Sequence, residues 1–301
     1  MNSERFRIWI GLAVVSFVWG STWLAIKIGL QSVPPFLGAG IRFAIAATVL
    51  FAIVKVRNIP VPFTLDTRKL YASLAFLSYT IPFALVYWGQ QFIPSGLGSI
   101  LFAAYPFWVA IFSHVLLEHE KMNAFKIAGI AFGFVGLIII FHGDIHWSDQ
   151  RAFLGMSAIL LTTAMQALSI VLIKKYGQPV SPFAMNLVGM TIGGTGLLLL
   201  GFVAESVSSI VWDRAAIGSI LYLALAGSVL AFVTYHWLVK RVEAVYLSLT
   251  SFINPIVAVI LGAMVLGEKL TPTVFVGSAL VLVGILVANG KYFIGKISGH
   301  E

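Results

Sequence analysis

The chain states one stretch twice, first as Trp88 to Leu137 and again as Trp237 to Ile285. Trp88 meets Trp237, Ser99 meets Ser248, Pro106 meets Pro255 and Leu117 meets Leu266, all 149 residues apart. One insertion later the spacing is 148, where Glu120-Lys121 meets Glu268-Lys269, Gly129 meets Gly277 and Gly136 meets Gly284. Each copy predicts an apolar helix broken near its middle by a proline, then an acidic-basic turn and a glycine-studded helix. Nearer the N-terminus, at a spacing of 147, Lys27 meets Lys174 and Pro35-Phe36 meets Pro182-Phe183, so the duplication covers both halves.

What such halves fold into follows from their apolarity. Hydrophobic residues make up 59% of the chain and charged ones 10%, against about 25% charged in an ordinary soluble domain. The charges separate apolar runs long enough to cross a hydrocarbon core as helix, and lipid offers an open backbone no partner. Ten spans are predicted, at 8–30, 36–54, 70–89, 96–117, 125–141, 153–174, 182–203, 217–238, 245–266 and 273–290. Five per half is an odd number, so the second half starts from the opposite face. The expected fold is an all-α integral membrane protein of ten transmembrane helices in two inverted five-helix repeats, 1–145 and 146–301, within a single transmembrane domain. The connection from His142 to Arg151, carrying His146, Trp147 and Asp149, is too short for an interdomain linker and is placed outside.

The net charge of +8 has a membrane explanation and implies no nucleic acid partner. One alternate set of loops holds most of the base, with Lys55, Arg57, Arg68 and Lys69 in a single connection, while the other set holds only Lys27, Arg151, Arg214 and Lys269. Basic loops stay cytoplasmic, which places both termini inside a multi-pass protein of the cell's inner (plasma) membrane. The first apolar run, longer than a signal-peptide core and without a small-residue cleavage site, is expected to be retained as a span. With no cysteine, disulfides, thiol catalysis and thiolate metal sites are excluded.

Inverted repeats place a solute site where the halves meet near the midplane. The polar and aromatic mid-helix residues are the candidates to line it: Trp19, Tyr79, Tyr87, Tyr105, Gln166, Tyr222, Tyr235, His236, Ser251 and Asn254. Tyr87 corresponds to His236 and Tyr105 to Asn254, so a polar residue directly precedes the mid-helix proline in each copy. The competing reading makes the aromatics an interfacial belt and the amides and hydroxyls, with Thr22 and Ser169, plain interhelical hydrogen bonds. Arg42 is the charge placed clearly inside a span; it serves as an outer gate meeting a solute carboxylate, or as a structural clamp. No Asp or Glu falls within a predicted helix core, which removes the commonest means of coupling to protons or sodium. Pro106 and Pro255 are the hinge candidates, against static kinks. Gly129-x-x-x-Gly133 with Gly136, and Gly189-x-x-x-Gly193, let helices approach closely, either within a monomer or in a weak homodimer.

A family resemblance rests on Trp19-Gly20-Ser21, on Pro34-Pro35 followed by Arg42, on a proline in helices four and nine, and on the turn Gly267-Glu268-Lys269-Leu270-Thr271. With ten helices in two halves, these resemble the drug/metabolite transporter superfamily, its EamA-type branch, and most of all the YddG-type amino acid exporters. The first-half turn reads His119-Glu120 and lacks the family's glycine. The resemblance implies a secondary transporter that exports small metabolites, neutral and aromatic amino acids above all, by alternating access through a midplane cavity and with no cofactor or metal. Paired aromatics equally suit an exporter of organic cations or drugs, and a membrane scaffold or receptor stands as the reading of another class. An enzyme is not expected: the chain has no His-Glu-x-x-His, no Gly-x-Ser-x-Gly and no pair of intramembrane aspartates.

Overall fold

The computed structural model describes residues 3–118, 122–143, 150–177, 179–242, 244–288 and 290 of the chain. The first-half turn at His119, Glu120 and Lys121, the loop residues His146, Trp147 and Asp149, and the C-terminal arm therefore lie outside the described residues. Ten long helices follow one another: α1 (Ser3–Gly29), α2 (Pro35–Val56), α3 (Leu65–Gln90), α4 (Ser95–Leu116), α5 (Ala124–Gly143), α6 (Gln150–Tyr176), α7 (Pro182–Ala204), α8 (Arg214–Val239), α9 (Ala244–Leu266) and α10 (Pro272–Ala288). Among the described residues there is no strand. Eight helices are long and apolar enough to cross a membrane, and apolar helices at Thr250–Leu266 and Pro272–Ala288 complete the ten.

The predicted spans are all present, several with polar first turns added. Thr64 and Asp213, 149 residues apart, cap α3 and α8, accepting hydrogen bonds from Thr67 N at 3.3 Å and Ala216 N at 2.6 Å. A side-chain oxygen at this position satisfies an amide that the helix leaves open. The hydrogen bond from Ser32 Oγ, with those from the α8 amides, holds the Asp213 carboxyl below its ordinary range.

The two mid-helix prolines act differently, and one expectation is corrected. Helix α4 does break, at Ala103–Ala104, and resumes as Tyr105–Leu116 with Pro106 in its first turn. Phe107 N there reaches back only three residues, to Ala104 O at 3.0 Å. Helix α9 runs unbroken from Ala244 to Leu266 with Pro255 inside it. The neighbouring helix supplies the reason. A Cβ on Gly20 of α1 would lie 2.6 Å from Val257 Cβ and 3.1 Å from Asn254 O, so α1 presses directly on the proline turn and holds it in line. Neighbouring helices sustain a proline in a membrane span in this way.

Two irregularities had no signal in the amino-acid pattern. Helix α3 widens to π geometry over Ala75–Thr80, and α8 does so over Leu223–Leu230, at corresponding places in the repeat. In each, a hydroxyl five residues on bonds the carbonyl of the segment's first residue, Thr80 Oγ1 to Ala75 O at 2.8 Å and Ser228 Oγ to Leu223 O at 2.9 Å.

The pseudo-twofold relation is visible in the seam between α5 and α10. Gly129 faces Gly284, while Gly136 faces Gly277, the repeat image of Gly129. A Cβ on Gly136 would lie 2.5 Å from Gly277 O, and one on Gly284 would lie 2.6 Å from Gly129 O. Reciprocal contacts of this kind are what a twofold axis between two related helices produces. The glycines thus join the halves within one chain.

Charged groups tie the helix ends. Glu205 accepts from Phe36 N and Leu37 N, both at 2.8 Å, and Glu268 accepts from Ser95 N at 2.8 Å and Gly96 N at 3.2 Å; each carboxylate stabilises the positive end of a helix dipole. Gly267 has φ +65° and Glu268 N bonds Gly262 O at 3.2 Å, the left-handed termination that favours glycine. Lys27 donates to Gln90 O, Gln91 O and Ile93 O at 2.8, 3.3 and 2.9 Å, and Lys240 donates to Gly177 O and Val180 O at 3.2 and 2.7 Å.

The seam makes a prediction. Gly136→Val is expected to lower stability by about 1–3 kcal/mol through overpacking. Gly218→Ala, where nothing lies within 4 Å, is expected to stabilise by up to about 1 kcal/mol. Unfolding midpoints in detergent check both; a Gly136→Val protein as stable as the parent would refute the seam.

Candidate functional site

Three cavities lie in line between the halves. Counted from the face that carries the basic loops, the proximal chamber is lined by Tyr105, Pro106, Val109 and Ser113 of α4, Lys126 of α5, Ile170 and Lys174 of α6, Tyr235 and Val239 of α8, and Ser251 of α9. The central chamber shares Tyr105, Ile170, Tyr235 and Ser251 with it and adds Trp19, Ser78, Phe102, Gln166, Phe232, His236, Thr250 and Asn254. The distal chamber shares Trp19, Phe102, Gln166, Phe232 and Asn254, and adds Thr22, Trp23, Ile26, Arg42, Phe83 and Val86. The central one is the smallest, about 40 Å³ against about 110 Å³ and 70 Å³.

The constriction has a definite chemistry. The hydroxyls of Tyr105 and Tyr235 meet at 3.1 Å, and the Trp19 ring packs on Tyr235 and Phe232 with centroids 4.8 and 5.1 Å away. Trp19 Nε1 donates to Gly227 O and Gln166 Nε2 donates to Ser78 O, both at 3.3 Å. These two bonds are images of one another: Gln166 stands 147 residues after Trp19, and Gly227 stands 149 after Ser78. Both acceptors belong to π segments. The widened turns turn carbonyls toward the interior, and the residues that answer them form the walls of the route.

Behind the central wall runs a buried chain. Tyr79 O–H donates to Asn186 Oδ1 at 2.5 Å, and Asn186 Nδ2 donates to Pro182 O at 2.7 Å and faces His236 Nδ1 at 3.0 Å. Tyr79 and Pro182 fix the amide's orientation, so His236 Nδ1 accepts and the ring proton sits on Nε2. A proton added at Nδ1 would set two donors against each other.

Arg42 is 1% exposed. Its Nε donates to Ser228 Oγ at 2.8 Å, its Nη1 reaches Tyr87 Oη at 3.5 Å, and the guanidinium lies 4.8 Å from the Phe83 ring centroid and 5.2 Å from that of Phe43. All of these partners are neutral. Among the described residues, no Asp or Glu lines any of the three chambers.

Of the residues singled out from the sequence, Trp19, Tyr105, Gln166, Tyr235, His236, Ser251 and Asn254 line the route, Arg42 borders its distal end and Pro106 its proximal end. Tyr79 and Tyr87 stand behind the wall, bonded to Asn186 and Arg42. Tyr222 bonds Ser21 Oγ at 2.6 Å on the flank of α1, and Pro255 lies within the unbroken α9. The reading missed Trp23, Phe83, Phe102 and Phe232. Phe83 and Phe232 are repeat equivalents, 149 residues apart, and that identity was a usable signal.

Comparison with known proteins agrees with this architecture. Residues 7–142 and 153–290 each match the EamA-like transporter family. The chain is 29% identical over 281 residues to the uncharacterized transporter YoaV of Bacillus subtilis, covering 93% of this chain and 96% of YoaV. It is 28% identical over 297 residues to the uncharacterized inner membrane transporter YedA of Escherichia coli, covering 96% and 94%. A solved structure, titled only as the crystal structure of a protein, shares the fold with a TM-score of 0.69 at 17% identity, over 95% of this chain and 98% of that one.

The buried chain is open to test. Tyr79→Phe removes one hydrogen bond and is expected to cost about 1 kcal/mol, whereas Asn186→Leu strands both Tyr79 and His236 and is expected to cost about 2–4 kcal/mol. Unfolding in detergent separates the two; equal costs would show that the amide does not link them.

Proposed function

Because the chain belongs to the EamA-like transporter family, whose match covers both halves, we propose that it is a secondary transporter exporting small metabolites, chiefly neutral and aromatic amino acids. The solute passes along the line of chambers by alternating access, from the basic face, which is cytoplasmic with both termini, to the far side. The protein works as a monomer or weak homodimer. The observation that carries the reading is the route itself: three chambers in line between inverted repeats, with aromatic walls, amides and hydroxyls, and one buried cation. Aromatic walls take an apolar side chain, and the polar groups replace the water that the charged end of an amino acid loses.

Support for uncoupled transport comes from His236. It is the histidine bordering the central chamber, and its Nδ1 is taken by Asn186. Around it stand Tyr79, Tyr235 and, one turn on, Lys240, and no carboxylate among the described chamber residues. A proton-coupled carrier needs a group that gains and loses charge during the cycle. Here the solute's own gradient drives flux.

Counterflow in proteoliposomes tests the proposal. Vesicles loaded with unlabelled phenylalanine are expected to accumulate labelled phenylalanine at the same rate with or without a proton ionophore, and equally at about pH 6 and about pH 8, the range over which an ordinary histidine titrates. Exchange abolished by the ionophore would overturn uncoupled transport. Exchange of organic cations but of no amino acid would overturn the substrate.

The unequal prolines give a second test. Pro106→Ala supplies the amide that lets α4 close its ladder across Ala103–Ala104, and is expected to slow exchange several-fold while leaving equilibrium binding intact. Pro255→Ala, in a helix already continuous, is expected to have the smaller effect. The reverse order, measured by counterflow, would move the hinge to α9.

A further inference from the structure

The protein's own hydrogen bonds leave polar atoms unmatched on residues that line the distal chamber. Arg42 uses Nε on Ser228 and reaches Tyr87 with Nη1. Among the described residues its Nη2 has no hydrogen-bond acceptor; a Cβ at Gly227 would lie 3.3 Å from it, so the glycine keeps that edge of the guanidinium clear. Gln166 uses Nε2 on Ser78 O, which leaves Oε1 without a donor among the described residues. Asn254, oriented to satisfy its surroundings, donates Nδ2 to Ser16 O and Thr250 O, both at 2.8 Å. Gln166 and Asn254 both border the distal and central chambers.

We propose that the distal chamber is a receptor for the α-amino-carboxylate group, with the Arg42 guanidinium taking the carboxylate and the amide oxygen of Gln166 taking the ammonium. The proposal rests on the reading of the chambers as a transport route, and fixes how the solute is held there. A guanidinium buried among neutral partners is costly until an anion joins it, and its planar fork matches a carboxylate through two parallel donors. A neutral amide oxygen receives an ammonium without a carboxylate, so the site accepts a zwitterion whose net charge is zero. Trp23, Phe83 and Phe102, bordering the same chamber, hold an apolar or aromatic side chain. An organic cation finds no anion there and is repelled by Arg42. A phosphate ester finds one cation where its charge needs more.

Binding to the purified full-length protein tests this with three probes: phenylalanine, 2-phenylethylamine, which lacks the carboxylate, and 3-phenylpropanoate, which lacks the ammonium. Wild-type protein is expected to bind phenylalanine at least about tenfold more tightly than either analogue, because each analogue leaves buried polar atoms unpaired. Arg42→Gln is expected to weaken phenylalanine about 100-fold and to leave 2-phenylethylamine no weaker, since the substitution removes the charge that repels it. Gln166→Leu is expected to weaken phenylalanine and leave 3-phenylpropanoate unchanged. An Arg42→Gln protein with wild-type stability and wild-type phenylalanine affinity would overturn the inference while leaving the exporter reading intact. Where Arg42→Gln does not fold, Gln166→Leu decides: equal weakening of phenylalanine and 3-phenylpropanoate overturns it. Failure of folded wild-type protein to bind phenylalanine, together with no counterflow, would overturn the amino acid reading itself and this site with it.

Discussion

A backbone carbonyl turned out of its ladder at the depth of a membrane has no water to bond, and the interior of this protein is arranged around meeting that demand. The π segments of α3 and α8 create it in both halves. Gly227 O is met by the Trp19 indole and Ser78 O by the Gln166 amide, while Thr162 Oγ1 reaches Pro82 O at 3.3 Å at the end of the α3 segment. Each answer fixes a side chain that then forms a wall. Trp19, held by its nitrogen, presents its ring to Tyr235 and Phe232; Gln166, held by its amide nitrogen, presents its oxygen. Structural satisfaction and the chemistry of the route are thus the same bonds seen from two sides.

The frame that carries these walls is made at its edges from small residues and helix ends. The α5–α10 seam lets backbones touch because four glycines alternate across it. Gly40 and Gly194 do the same between α2 and α7, where a Cβ on Gly194 would lie 2.9 Å from Phe43 Cβ. At the helix ends, Lys27 ties α1 to the end of α3, and Lys240, at the end of α8, ties it to the end of α6. The repeat joins corresponding pairs of ends, yet the lysine comes from the opposite partner in each half. Burial lowers the Lys240 ammonium from its ordinary range, a cost accepted where the amine meets two carbonyl ends.

Much of this was legible in the sequence because the chain is duplicated. The ten spans follow from runs of apolar residues, and the inverted arrangement from five being odd. Glycine and proline carried further information, since a missing Cβ or a missing amide has a direct physical consequence; yet Pro106 and Pro255 look alike in sequence and differ in structure, because the pressure of α1 at Gly20 on α9 belongs to tertiary packing. The π segments were invisible for a related reason: a one-residue widening of a helix leaves the apolar pattern unchanged. Chamber-lining residues carry a sequence signal where a polar group sits mid-helix, as with Gln166 and Asn254, and no such signal where the wall is plain phenylalanine. Tyr79 and Tyr87 were misplaced by one layer, since a tyrosine's hydroxyl serves equally well behind a wall as on it.

The duplicated fold is nearly symmetric, and the lining of the chambers departs from symmetry at a few places. Arg42 meets Ser228; their images are Gly189 and Tyr79, where a Cβ on the glycine would lie 2.6 Å from the tyrosine ring. One side of the axis therefore holds a guanidinium and the other a ring, with the Asn186–His236 chain behind it. Tyr105 meets Tyr235 at the proximal constriction; their images are Asn254 and Val86, which border the distal chamber. The phenols join at one end, and an amide and a valine border the chamber at the other. A perfectly symmetric cavity would offer the same groups to both ends of a solute and hold it in either direction. An α-amino acid has two unlike ends, and a path that binds it in one orientation needs unlike groups at corresponding places. The local failures of symmetry at Arg42, Tyr105, Tyr235 and Asn254 place unlike groups at corresponding positions along the chambers.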